Sequence, residues 1–305
     1  MFRVMRELIR NFLKRFGYDI VKTGIPYIPK TNKDVFVEVG KYKILMPGYN
    51  VQAINYKLYP DLNASFGRLA KVIYGKYNDM FLIDVGANVG DTIAVVKSEV
   101  EIPIIGVEGD DVTYSYLEKN AKLFSNVHIV KTFLSEKTQE IKVAFEKSGW
   151  NATVIPDSDN GKQVSFRTLD EVIEAGGFFT QKIKLLKVDV EGFDTIVLRG
   201  ASGIIKEHKP VLFFEYNRQN MIAINEEGLS TLLSYAAYGY NKIAFFDHKG
   251  TLILVTSLKN KEEITYLHEY ASSPKNLIGY YDICIFHEND DDLANQYSKI
   301  ERQFV

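Results

Sequence analysis

Two acids stand at the ends of apolar runs, at a spacing that could serve one ligand. Asp84 ends FLID and leads directly into VGANVGDT, a turn containing Gly86, Asn88 and Gly90. Glu108 ends IPIIGVE, 24 residues further along. A P-loop needs a lysine after its second glycine to hold phosphates, but Gly90 is followed by Asp91. The dinucleotide fingerprint G-x-G-x-x-G uses its middle glycine to let the backbone approach a pyrophosphate, and Asn88 occupies that place.

Charge argues in the same direction. Asp84 and Asp91 flank the loop, and each would repel a phosphate about 4 Å away by about 4 kcal/mol at an effective dielectric near 20. A ligand with an ammonium or sulfonium group, a ribose and no phosphate suits the loop better, and S-adenosylmethionine has all three properties. Glu108 then falls where an acid takes ribose hydroxyls, because one carboxylate accepts two O–H donors. Against this stands a plain reading in which Asp84 caps a tight strand-to-helix connection and Glu108 is a solvated acid.

With these residues in place, the chain resembles the FkbM-type S-adenosylmethionine-dependent methyltransferases, mainly over residues 80–218. The resemblance rests on LIDVGANVGDT, the acid in GVEGD, VSFRTLDEVI at 164–173, and above all IKLLKVDVEGFDTIVLRGAS at 183–202 followed by KPVLFFEYN at 209–217. The sequence departs from the family after the second-strand acid, where Gly109 and Asp110 replace the usual proline. The resemblance implies an α/β, Rossmann-like class I methyltransferase fold. It has a seven-stranded, mostly parallel sheet with helices on both faces and an antiparallel strand at the end.

The resemblance also implies a site. Cofactor contacts would come from Asp84, Gly86, Ala87, Asn88 and Gly90 in the loop, from Glu108 and Gly109 after the second strand, and from Asp189. The fourth and fifth strands would end at Asp189 and Glu215, so that both acids open onto the crevice. Asp189, Glu215 and Glu191 are the candidate catalytic acids. Glu191 and Asp194 lie in the first turn of the next helix, where acids favour the positive dipole end, and capping is the preferred role for Asp194. Asn217, Arg218 and the loop at 146–161 are candidate acceptor contacts. Family members commonly methylate hydroxyls of sugars, glycans or polyketide-like products. D-V-E-G, in place of the D/N-P-P-Y/F of amino-directed enzymes, favours an oxygen acceptor.

One carboxylate of the Asp189/Glu215 pair would relieve the acceptor hydroxyl of its proton. The same pair could instead hold a divalent metal such as Mg²⁺, although the base reading is preferred; no His or Cys cluster suits zinc. Two other function classes remain open at this level. One is an NAD(P)-dependent sugar oxidoreductase or epimerase, disfavoured by the missing G-x-G-x-x-G and Y-x-x-x-K. The other is a catalytically inactive cofactor-binding protein.

The composition suits a soluble enzyme, with 46% hydrophobic and 13% aromatic residues to fill a core. Net charge is -2, from 37 basic and 39 acidic residues, and no basic run interleaved with aromatics suggests nucleic acid as a partner. Cys284 is the single cysteine, in the apolar run YYDICIFH. It excludes a disulfide framework and fits a reducing cytoplasm. No run approaches the ~18 apolar residues of a membrane span. Near the start, Met5, Leu8, Ile9, Phe12 and Phe16 share helical spacing apart from Arg3, Arg6, Arg10 and Lys14. Such a basic amphipathic helix could rest on an anionic membrane, on a partner subunit or on its own domain.

The elements expected to carry the site follow from periodicity. Two short strands are expected around Gly40 and Lys41, and a helix from about Asn63 or Ser65 to Gly75. Strands are expected near 80–84, 103–108 and 127–131, joined by helices at DTIAVVKS and VTYSYLEKNAKLF. IKVAF and KQVSF suggest an inserted hairpin with a long polar loop. Later strands are expected near 183–189, 211–215, 242–247 and 281–287, followed by an acidic end. Residues 1–50 read as an N-terminal extension and 51–305 as one catalytic domain.

Overall fold

The computed structural model describes residues 9–10, 12–16, 18, 31–148, 151–156, 161–178 and 180–305. A hairpin of β1 (Asp34–Val39) and β2 (Tyr42–Pro47) comes first, then α1 (Val51–Leu58) and α2 (Ala64–Lys76). The doubly wound part begins with β3 (Phe81–Val85), α3 (Asp91–Glu99), β4 (Ile104–Glu108), α4 (Asp111–Ala121) and β5 (Val127–Lys131). A small sheet is inserted next, from β6 (Phe133–Leu134), β7 (Gln139–Ser148), β8 (Asn151–Pro156) and β9 (Lys162–Arg167). The chain returns through α5 (Leu169–Ala175) to β10 (Ile183–Val188), α6 (Asp194–Arg199), α7 (Ser202–His208) and β11 (Val211–Tyr216). It ends with α8 (Arg218–Ala223), α9 (Leu229–Ser234), β12 (Tyr240–Asp247), β13 (Leu252–Ser257), α10 (Lys261–Ser272), β14 (Tyr281–His287) and α11 (Asp291–Glu301).

The main sheet has the order β13-β12-β14-β11-β10-β3-β4-β5. From β5 to β11 the pairs are parallel, whereas β14 is antiparallel to both β11 and β12. This is the expected class I methyltransferase sheet with one strand more. The additional edge strand, β13, folds back on β12 as a hairpin through a turn at Gly250, whose φ of +77° suits glycine.

Because side chains alternate across a strand, the buried strands feed two cores. Ile83, Val107, Leu186 and Phe214 pack with Leu169, Val197 and Ile204 on one face. Leu82, Ile104, Leu185 and Phe213 pack with Phe66 and Leu69 of α2, Ile93 of α3 and Tyr297 of α11 on the other. The first hairpin covers the outside of α3, with Val37, Val39, Ile44 and Met46 meeting Ala94 and Val95. That is why α3 buries Asp91 through Lys97 without a solvent face.

Two expectations are revised. The polar segment at 146–161 is not simply a loop, because residues 151–156 form β8 against β7; residues 149, 150 and 157–160 lie outside the described residues. The acidic end forms α11, whose Glu301 is buried in a bidentate pair with Arg68 of α2 at 2.6 and 2.7 Å. Of the N-terminal apolar residues, Met5 and Leu8 are outside the described set, and Ile9, Phe12 and Phe16 are exposed. Among the described residues, no helix is long and apolar enough to cross a membrane.

Candidate active site

The carboxyl ends of β3, β4, β10 and β11 frame a cleft of about 470 Å³, where an open parallel sheet takes its ligand. Its floor is an ion pair between neighbouring strands. Asp84 and Lys187 are registered partners on β3 and β10, and Lys187 Nζ lies 2.9 Å from Asp84 Oδ1. Thr92 Oγ1 donates to the other carboxylate oxygen at 2.6 Å. Burial works against the charge on Lys187, but the carboxylates of Asp84 and Asp189 outweigh it and hold the ammonium above its ordinary pKa. Asp84, expected at the mouth of the loop, is therefore corrected: it is fully buried and does not line the cleft.

The glycine loop passes over this pair. Gly86 has φ +72°, and a Cβ there would stand 1.9 Å from the Asp189 carbonyl oxygen, so only glycine lets β3 turn this close to β10. Asn88 follows in the left-handed region at φ +50°, which asparagine tolerates. Gly86 and Asn88 line the cleft; Ala87 and Gly90 do not, because Ala87 is packed into the core and Gly90 leads into α3.

Glu108 is held at the cleft wall by two backbone N–H groups. Asn88 donates to Oε2 at 3.1 Å and Asp110 to Oε1 at 2.9 Å. Burial pushes its carboxyl up to about 7, against the pull of those donors. A Cβ on Gly109 would sit 2.4 Å from the Phe133 ring, which is a local reason for glycine where the family usually has proline. Phe133, Leu134 and Phe166 bring the inserted sheet to the cleft.

The opposite wall is acidic. Asp189 follows β10 and Glu215 is the last residue but one of β11, and both line the cleft with Glu191 and Asp282. Glu215 Oε1 is buried without a hydrogen-bond partner. Burial raises the Glu215 pKa well above the ordinary value, and Asp189, Glu191, Asp194 and Asp282 raise it further. Burial, with Asp189, pushes Asp282 up to about 8. Glu191 sits at φ +55° and accepts from Asn220 Nδ2 at 2.9 Å. Asp194 lies in the first turn of α6 as expected, but its carboxylate accepts the N–H groups of Gly192 and Val190 at 3.1 and 3.4 Å and so braces the turn before the helix, where Glu191 sits, rather than capping the helix itself.

The two acceptor candidates separate. Asn217 lines the cleft and caps α8 by accepting the Asn220 N–H. Arg218 is corrected: it is buried and turned away from the cleft, donating to the carbonyl oxygens of Glu226 and Glu227 at 3.0 and 2.7 Å and to Ser272 Oγ at 3.1 Å. Its guanidinium holds the α8–α9 connection together.

Several lining residues had not been singled out. Tyr49 precedes α1 and Gln52 and Asn55 belong to it, His248 and Lys249 come from the β12–β13 turn, Tyr280 precedes β14 and Asp282 lies near its start. Tyr56 of α1 donates to Asp91 Oδ2 at 3.0 Å, tying that helix to the cofactor-loop helix. Among the described residues, no group of three His, Cys, Asp or Glu side chains is arranged to hold a metal ion.

No curated protein matches the chain. Among solved structures, it is similar to the methyltransferase FkbM of Methylobacillus flagellatus KT, with 19% identity over 50% of this chain, 38% of that one and a TM-score of 0.36. The match therefore spans well under two thirds of that relative. The plantazolicin methyltransferase BamL, in complex with a triazolic desmethylPZN analog and SAH, is 11% identical over 79% of this chain and 90% of its own, with a TM-score of 0.39. A putative caffeoyl-CoA O-methyltransferase from Staphylococcus aureus is 10% identical over 72% and 82%, with the same score. The methyltransferase FkbM domain matches residues 84–241, just over half of the chain, and this protein belongs to that family.

Proposed function

We propose that the protein is an S-adenosylmethionine-dependent O-methyltransferase acting on a hydroxyl of a sugar, glycan or related natural product. The observation that carries this is the joining of the glycine loop to Glu108 through the Asn88 N–H, with Asp189 and Glu215 across the same cleft. The residues fit the cofactor: each Glu108 oxygen accepts one backbone N–H and keeps a lone pair for a ribose hydroxyl. The acidic wall favours a cation over a diphosphate.

S-adenosylmethionine supplies an electrophilic methyl group. The chain's own part is to aim an acceptor oxygen and to receive its proton. Glu215 suits the second task, since it lines the cleft, its Oε1 has no hydrogen-bond partner, and burial keeps it basic. Asp189 and Glu191 shape the space beside it, and Asn217 offers an amide to the acceptor. Residues 51–305 serve as the catalytic domain, and the single buried cysteine supports a cytoplasmic setting.

Calorimetry with S-adenosylhomocysteine and NAD, followed by mass spectrometry of glycans incubated with labelled cofactor, tests the reading. S-adenosylhomocysteine should bind and NAD should not. NAD binding with no response to S-adenosylhomocysteine would overturn it.

A further inference from the structure

One ammonium answers three carboxyl groups beneath the glycine loop. Lys187 Nζ lies 2.9 Å from Asp84 Oδ1, 3.6 Å from Asp189 Oδ2 and 3.4 Å from the carbonyl oxygen of Gly86. Asp91, also buried, feels the same charge. Asp84 is 0% and Lys187 3% exposed, so dissolved ions screen this floor poorly. Strand register fixes the pair: β3 and β10 place Asp84 and Lys187 side by side. Of its remaining neighbours, Gly86 and Asp189 belong to the cleft wall itself.

The proposed cofactor and its product differ by one charge, because the sulfonium of S-adenosylmethionine becomes the neutral thioether of S-adenosylhomocysteine. A fixed charge in the floor acts on that difference and on nothing else that separates the two ligands electrostatically. We propose that Lys187, paired with Asp84, sets how strongly the site prefers the sulfonium cofactor over its thioether product. The inference rests on the cofactor assignment above. Lys187 offsets carboxylates that would otherwise hold the sulfonium too firmly, and binding stronger in the ground state than in the transition state slows transfer.

The test uses the full chain and calorimetry with both ligands at pH 9. One unit of floor charge changes the binding of a unit charge in the cleft by roughly tenfold or more at an effective dielectric near 20. Lys187→Met should raise the preference for S-adenosylmethionine over S-adenosylhomocysteine by that factor, and Asp84→Asn should lower it. Lys187→Arg should keep the wild-type ratio, as should the double variant that removes both charges. A pair that only braced the fold would weaken both ligands alike, so an unchanged ratio in folded Lys187→Met or Asp84→Asn overturns the proposal. If Lys187→Met does not fold, the opposite shift expected for Asp84→Asn decides the matter. Wild-type protein that binds neither ligand would instead sink the cofactor assignment.

Discussion

Glu215 on β11 and Asp282 on β14 are registered partners across an antiparallel strand pair, and both line the cleft. Neither has its ordinary acidity, for burial raises Glu215 well above the usual range and pushes Asp282 up to about 8. A raised carboxyl keeps its proton to higher pH, so the basic form appears only as pH rises. Methyl transfer should therefore increase as pH rises beyond the ordinary carboxylate range. Glu215→Gln should lose about 10²–10⁴-fold in rate. Asp282→Asn, which removes a charge that raises Glu215, should move the profile to lower pH. Transfer of labelled methyl measured from pH 6 to 9 checks this, and a flat profile would remove Glu215 as the base.

Glu108 gives a second pH signature, in binding rather than rate. Its carboxyl is pushed up to about 7 by burial, and the ionised form is the better acceptor for two hydroxyls. S-adenosylhomocysteine affinity should rise as pH rises through about 7, and Glu108→Gln should flatten that dependence. Glu108→Ala should cost about 1.5–3 kcal/mol of charge-assisted hydrogen bonding, or about ten- to a hundredfold in affinity. The unliganded protein should respond with the opposite sign. Because the folded pKa is raised, the Glu108 contribution to stability is present in acid and lost as pH rises through about 7. Thermal melts of wild type and Glu108→Gln should diverge in favour of the variant as pH rises from 4.5 to about 7, and stay apart by a constant amount above it.

Much of the site was legible because parallel strands bring their carboxyl ends to one edge. Any acid ending such a strand is a candidate, and Glu108, Asp189 and Glu215 all line the cleft. Asp282 escaped because β14 runs antiparallel and delivers its amino end, Tyr280–Asp282, to the same edge. Within YYDICIFH that acid reads only as an interruption of a buried strand. Asp84 was legible as a strand-end acid, but its burial was not, since the cation that neutralises it lies 103 residues away. The α11 helix left a trace in the spacing of Leu293, Tyr297 and Glu301, which the run of acids before it obscured.

Arg218 illustrates the limit of reading outward from a strand end, and it yields a stability prediction. The residue follows Asn217 by one position, yet its guanidinium turns inward and serves two carbonyl oxygens and a hydroxyl. Arg218→Ala should lower stability by about 2–4 kcal/mol, because buried acceptors lose a charged donor. The affinity for S-adenosylhomocysteine should stay near wild type in the folded fraction. Chemical denaturation alongside calorimetry separates the two effects. A variant of normal stability that lost only acceptor turnover would return Arg218 to the acceptor site.

Two glycines should respond to alanine in opposite directions, and the contrast isolates what the cofactor loop requires. At Gly86 an added Cβ meets the Asp189 carbonyl oxygen at 1.9 Å, and φ is +72°. The left-handed conformation alone costs a non-glycine residue roughly 1–2 kcal/mol, and relieving the contact requires β3 and β10 to part just where Lys187 bridges them. Gly86→Ala should therefore lose both stability and S-adenosylhomocysteine binding. At Gly75, within α2, an added Cβ meets nothing within 4 Å. Gly75→Ala should raise stability by about 0.5–1 kcal/mol through helix propensity and a less flexible unfolded chain, with binding unchanged. Melting temperatures and calorimetry on the two variants test the pair. Unimpaired cofactor binding by Gly86→Ala would mean that the close approach of loop and strand is not what shapes the site.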